Sequence, residues 1–120
     1  MKDYKALEVW KKGISLVLNI YETTKYFPKD ERYALTDQIK RAAVSIPSNI
    51  AEGASRNTTK EFVQFLYIAL GSASELETQI IIAEKLGYLR SEETLHAEIT
   101  VIRKMLNALI TSLKKIVNGG

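Results

Sequence analysis

The chain has 120 residues, 46% of them hydrophobic and 26% charged, which describes one ordinary globular domain and excludes a disordered segment. It has no cysteine, so disulfides and thiolate metal sites are excluded. The net charge of +3 is too small to demand a nucleic-acid partner, but it is unevenly placed: residues 1–60 carry 11 Lys and Arg against 7 Asp and Glu, residues 61–120 carry 6 against 7.

The opening Met1-Lys2-Asp3-Tyr4-Lys5 has no apolar run of the kind a signal peptide needs. Apolar stretches such as Ile80 to Ala83 are far short of the ~20 residues that span a bilayer. A cytoplasmic protein without a membrane partner is the expectation.

Strand-like alternation, low-complexity segments and strong repeats are missing from the sequence, and helical spacing recurs four times. A first helix is expected over residues 6–25, capped by Asp3, with a stripe of Leu7, Trp10, Ile14, Val17, Tyr21 and Thr24. Phe27-Pro28 should end it. The second, over 31–54, has Asp30 as its cap and Leu35, Ile39, Ala42, Ile46 and Ile50 as its stripe. Pro47 falls inside it and should kink it; the alternative is two shorter helices broken at Ile46. The third covers 59–86. Thr58 and Glu61 have the spacing of a capping box, Phe62, Phe65, Ala69, Ala73, Leu76, Ile80 and Ala83 form the stripe, and Gly87 stands where a left-handed cap is wanted, with Leu89 placed to pack back. The fourth covers 92–117, with Ser91 as cap, Glu92 and Glu93 suited to the helix dipole, and Leu95, Ile99, Ile102, Leu106, Leu109, Leu113 and Ile116 in register. Similar lengths and short connections give an all-α, antiparallel up-down-up-down four-helix bundle spanning residues 1–120 as a single domain.

Aligning the second and third helices about Asn57 sets Ala42, Ala43 and Ser45 opposite Gly71, Ser72 and Ala73, small residues that allow close approach. It also sets Arg41 opposite Glu75, predicting an ion pair across the interface. Apolar residues outnumber one face per helix. Val9, Leu16, Leu18 and Ile20 on the first helix, and Val63, Leu66, Leu70, Ile81 and Ile82 on the third, fall off the main seams and predict a homo-oligomer interface. The plainer reading is that they only widen the core.

Little in the sequence suggests catalysis. Glu93 and His96 have the spacing of a di-iron ligand pair, but such sites need two pairs and this chain has one histidine. Residues 52–56 carry one glycine and lack the pattern of a phosphate loop. Glu75 and Glu77 point to different sides of a helix, which does not make an acid–base pair. The expectation is no enzyme, no cofactor and no metal. The basic residues Lys11, Lys12, Lys40, Arg56, Lys60, Arg103, Lys104, Lys114 and Lys115 are the candidates for contacting nucleic-acid phosphates. The polar residues between 38 and 56 serve either helix-to-helix hydrogen bonding or a binding surface.

Three segments carry a family resemblance: Leu7-Glu8-Val9-Trp10; Arg41-Ala42-Ala43-Val44-Ser45-Ile46-Pro47-Ser48-Asn49-Ile50-Ala51-Glu52-Gly53; and Phe65-Leu66-Tyr67-Ile68-Ala69-Leu70-Gly71-Ser72-Ala73-Ser74-Glu75-Leu76-Glu77. Together they resemble the four-helix-bundle proteins encoded in intervening sequences of bacterial 23S rRNA genes, over nearly the whole chain. Ala6 stands where an acidic residue is usual. The family is often labelled ribosomal-protein-like, a name that reflects gene location. Its fold is similar to the accessory variability protein of diversity-generating retroelements, a homopentamer that binds nucleic acid and a reverse transcriptase. The resemblance implies a homo-oligomer, a pentamer by this analogy, that binds RNA or DNA. The alternative is a protein-binding scaffold with no nucleic-acid role.

Overall fold

The computed structural model describes residues 3–90 and 93–119. Four helices make up nearly all of it: α1 (Glu8–Thr24), α2 (Leu35–Ala54), α3 (Thr59–Lys85) and α4 (Glu93–Gly119), with 3-10 turns at Tyr4–Ala6 and Lys29–Glu31. Close backbone approaches join α1 to α2, α2 to α3, α3 to α4 and α4 to α1, and none crosses a diagonal among the described residues. The helices therefore stand at the corners of a square, in a body of 51 × 22 × 20 Å. Residue pairs that bridge neighbours run in opposite directions along them: Gly13 meets Pro47 and Tyr21 meets Lys40, Ser45 meets Ser72 and Gly53 meets Phe65, Glu84 meets His96 and Glu77 meets Arg103.

In α1 the buried line is Val9, Gly13, Leu16, Ile20 and Thr24. The expected seam sits one position to the side: Leu7, Trp10 and Val17 are partly buried, and Tyr21 is exposed. Gly13 is the cause. A Cβ there would stand 3.3 Å from the Pro47 Cβ, so the bare backbone lets the proline ring close on α1 and turns this side inward. The aromatic rings take the margin, where their polar ends reach water. Asp3 does cap a helical turn, but it is the Tyr4–Ala6 turn, through a 3.0 Å bond from the Lys5 amide; α1 follows Leu7 without a side-chain cap.

Helix α2 begins at Leu35, four residues later than the sequence suggested, because Lys29–Glu31 close a separate 3-10 turn. Asp30 makes no cap; the Leu35 amide instead donates to the Glu31 carboxylate at 3.4 Å. The helix runs unbroken through Pro47, which excludes two helices split at Ile46.

The α2–α3 pairing is the most extensive in the molecule. Ala42, Ala43, Ala69 and Ala73 are buried along it, and the Ser45 and Ser72 hydroxyls bond at 2.8 Å. The Asn49 amide donates to the Ser45 carbonyl at 2.7 Å and to its hydroxyl at 2.8 Å. The Ser45–Ser72 bond crosses between helices and the two from Asn49 stay within α2, so the central part of this polar line bonds inside the bundle. Gly53 is the tightest point: a Cβ there would fall 2.6 Å from the Phe65 Cβ. Gly71, by contrast, faces open space.

The Arg41–Glu75 pair does not form. Arg41 lies on the outer face of α2 and bonds Asp37, one turn back, at 2.9 Å, while Glu75 accepts from Gln79. A neighbour four residues away on the same helix costs an arginine less ordering than one across an interface.

Helix α3 opens as expected, with the Thr58 hydroxyl accepting the Glu61 amide at 3.1 Å. It closes on Gly87, at φ +80°, with the Tyr88 amide donating to the Ala83 carbonyl and the Gly87 amide to the Glu84 carbonyl. That is the paired bonding of a Schellman cap, and it needs a residue indifferent to left-handed backbone. The proposed cap at Ser91 and the dipole role of Glu92 lie outside the described residues. In α4, Leu95, Ile99, Ile102 and Leu106 are buried, then Ile110 takes over from Leu109. Leu113 is half-buried and Ile116 is 62% exposed, since these last turns run past the start of α1.

The core absorbs most of the residues assigned to an oligomer interface. Val9, Leu16, Ile20, Val63 and Leu66 are buried within the single chain, and Leu70 is half-buried against them. Helices α1 and α3 each touch two neighbours, so each needs an apolar arc wider than one stripe. Leu18 at 63% exposure, with Ile81 and Ile82, stays outside. No helix of the described residues is long and apolar enough to cross a membrane.

Candidate nucleic-acid interface

The nine basic candidates fall into two groups. Lys11, Arg56 and Arg103 are already engaged by carboxylates. Lys11 pairs with Glu8 at 3.5 Å and Arg56 with Glu52 at 2.9 Å, both within one helix or its closing turn. Arg103 reaches from α4 to Glu77 of α3 at 2.8 Å. Glu77 also faces His96 Nδ1 at 3.5 Å, and the other ring nitrogen of His96 lies 3.0 Å from Glu84. This line of alternating acids and bases stitches α3 to α4, and it accounts for the histidine that resembled a metal ligand beside Glu93.

The second group, Lys12, Lys40, Lys60, Lys104, Lys114 and Lys115, has no carboxylate within ion-pair distance among the described residues. Lys40 lies 4.8 Å from the centre of the Tyr21 ring, and Lys12 lines a groove of about 270 Å³ between α1 and α4, beside Glu98. Lys104 is exposed on the outer side of α4. These three are scattered. Lys60, Lys114 and Lys115 are not: the first turn of α3 and the last turns of α4 meet at the end of the bundle that carries the α2–α3 turn. Lys60 and Lys114 line one groove there, of about 200 Å³, with Val63, Gln64, Tyr67, Val117 and Asn118. Lys115 follows on the next step of α4, and Arg56 stands in the adjoining turn with its guanidinium 4.8 Å from the Phe65 ring.

Sequence reasoning missed the aromatic rings. Lys114 donates to the Tyr67 hydroxyl at 3.3 Å, and Lys40 and Arg56 lie against Tyr21 and Phe65. The members of these pairs are far apart in the chain or on different elements, so only the folded register brings them together. The signal within reach was the seven-residue spacing of Lys60 and Tyr67, which places both on one side of α3.

The opposite end has another character. Tyr26 and Tyr33 are each 84% exposed, Phe27 packs against Tyr88 with ring centres 5.7 Å apart, and the Tyr88 hydroxyl donates to Glu31 at 2.6 Å. That bond to a carboxylate, helped by burial, raises the Tyr88 pKa above its usual 10.0. The hydrogen bond to Glu22 likewise raises that of Lys25 at the end of α1.

Square packing of four long helices, with polar residues used for pairing and no cluster among the described residues able to hold a metal, defines an all-α bundle protein. The chain belongs to the 23S rRNA-intervening sequence protein family, whose model matches residues 5–108. A solved structure from Bacteroides thetaiotaomicron, described as a protein of unknown function from the S23 ribosomal protein family, superposes with a TM-score of 0.79 at 27% identity, covering 85% of this chain and 97% of that one. No curated protein is similar enough to count as a match.

Proposed function

We propose that this chain is a non-enzymatic, cytoplasmic, homo-oligomeric protein that binds RNA or DNA through phosphate contacts. The reading rests on Lys60 and Lys114 sharing one groove, and Lys114 and Lys115 the adjoining depression at the end of α4, all three without carboxylate partners among the described residues. Exposed lysines on rigid helices neutralise phosphates and release counterions without reading sequence. Leu18, Ile81 and Ile82 are the apolar residues left to join copies, and a pentamer is the assembly the family resemblance favours.

A salt series of binding to generic RNA and DNA tests this. Affinity should fall steeply as salt rises, with little preference for sequence. The absence of binding at low salt would favour the second reading, a protein-binding scaffold, which has its own support in the two tyrosines standing almost wholly in solvent at the far end.

A further inference from the structure

We infer that the groove between the first turns of α3 and the last turns of α4 takes an unpaired nucleotide, its base against Tyr67 and its flanking phosphates against Lys60 and Lys114. This rests on the nucleic-acid reading above and narrows it to single strands.

The position of Lys114 relative to Tyr67 is the first observation. Its ammonium is 3.3 Å from the hydroxyl but 5.8 Å from the ring centre. Together the two distances put the charge beyond the hydroxyl, close to the plane of the ring, rather than over a face. Lys40 and Arg56 sit 4.8 Å from the centres of their rings and do approach the faces. Tyr67 is 44% exposed, so its hydroxyl is held while ring surface stays open to solvent.

Gly71 is the second. It stands one turn beyond Tyr67 in the middle of a long helix, where glycine is a poor choice. A Cβ built on it meets nothing within 4 Å, so packing inside the subunit does not require its smallness. Helical side chains lean toward the preceding turn, so a long side chain at 71, unlike a single methyl group, would reach toward Tyr67. Glycine leaves that approach clear.

The rest of the groove suits a nucleotide. Val117 gives apolar surface with buried Val63 beneath the groove, Gln64 offers an amide donor and acceptor one turn from Lys60, and the two lysines carry the charge for phosphate. Stacking of a base on an aromatic ring beside basic side chains tolerates any sequence and needs a base free of its partner. A duplex would reach the lysines alone.

The test compares a short pyrimidine RNA strand, the matching DNA strand and a duplex of equal length at one salt concentration. The wild type should bind at least one of the single strands more tightly than the duplex. Tyr67→Ala should weaken single-strand binding about tenfold or more and leave duplex binding within about twofold, whereas Tyr67→Phe, which keeps the ring but releases Lys114, should weaken it less than Tyr67→Ala does. Circular dichroism checks that the variants stay folded. Equal weakening for single strand and duplex, or none, overturns the inference and leaves general phosphate binding standing. If the wild type binds no nucleic acid at low salt, the broader reading falls first.

Discussion

Gly53 fixes how closely α2 and α3 approach near their shared turn. A methyl group there would meet the Phe65 Cβ at 2.6 Å, an atom tied directly to the backbone of α3, so the helices must part. Gly53→Ala should lower stability by about 1–3 kcal/mol, since overpacking outweighs the gain in helix propensity. Gly71→Ala, with open space around it, should raise stability by about 0.5–1 kcal/mol. Urea denaturation of the two variants would separate these positions; shifts of the same sign would contradict the packing described for Gly53. The sequence identified the stretch of small residues where the helices meet, including Ser45 and Ser72, but put weight on Gly71 instead of Gly53. Both are glycines in helical context, and only the rotation of each helix decides which one faces a neighbour. Arg41 follows the same logic. Its number placed it opposite Glu75, yet Asp37 lay one turn away on its own helix and took the bond.

At the scale of elements, apolar spacing marked all four helices and capping residues marked the ends of α3. The start of α2 was not legible, because Asp30 and Glu31 suit a helix N-terminus and a 3-10 turn equally well. The turn matters to the far end of the bundle, where Glu31 holds the Tyr88 hydroxyl. Tyr88 has a folded pKa raised above the unfolded value near 10.0, so the hydrogen bond's stabilisation is fully present below that value and is lost as pH rises through the folded one. The difference in melting temperature between wild type and Tyr88→Phe should therefore shrink between about pH 8 and pH 11. A difference constant across that range would mean the hydroxyl is not held by a carboxylate.

For the whole molecule, the apolar surplus of α1 and α3 is mostly a property of the square bundle, since each helix must face two neighbours. Five of the nine residues assigned to an interface are core, which sequence periodicity alone could not separate from a second apolar face. Any assembly of copies has to use what remains, notably Leu18. Leu18→Glu should lower the sedimentation coefficient while helical content stays at the wild-type level; an unchanged coefficient would remove Leu18 from the interface. The candidate site was legible only as a set of basic residues. Their grouping depends on where α4 ends relative to α3, a register that joins Lys114 to Tyr67 across 47 residues of chain.

The most direct test of that grouping is the salt dependence of RNA affinity for the wild type and for a Lys60→Gln, Lys114→Gln, Lys115→Gln variant. Every phosphate left without its lysine should make the slope of log affinity against log salt shallower by about 0.7–0.9, so the triple variant should bind more weakly and with a slope shallower by about two to three. An unchanged slope, with the variant still folded, would show that this end of the bundle is not where nucleic acid binds.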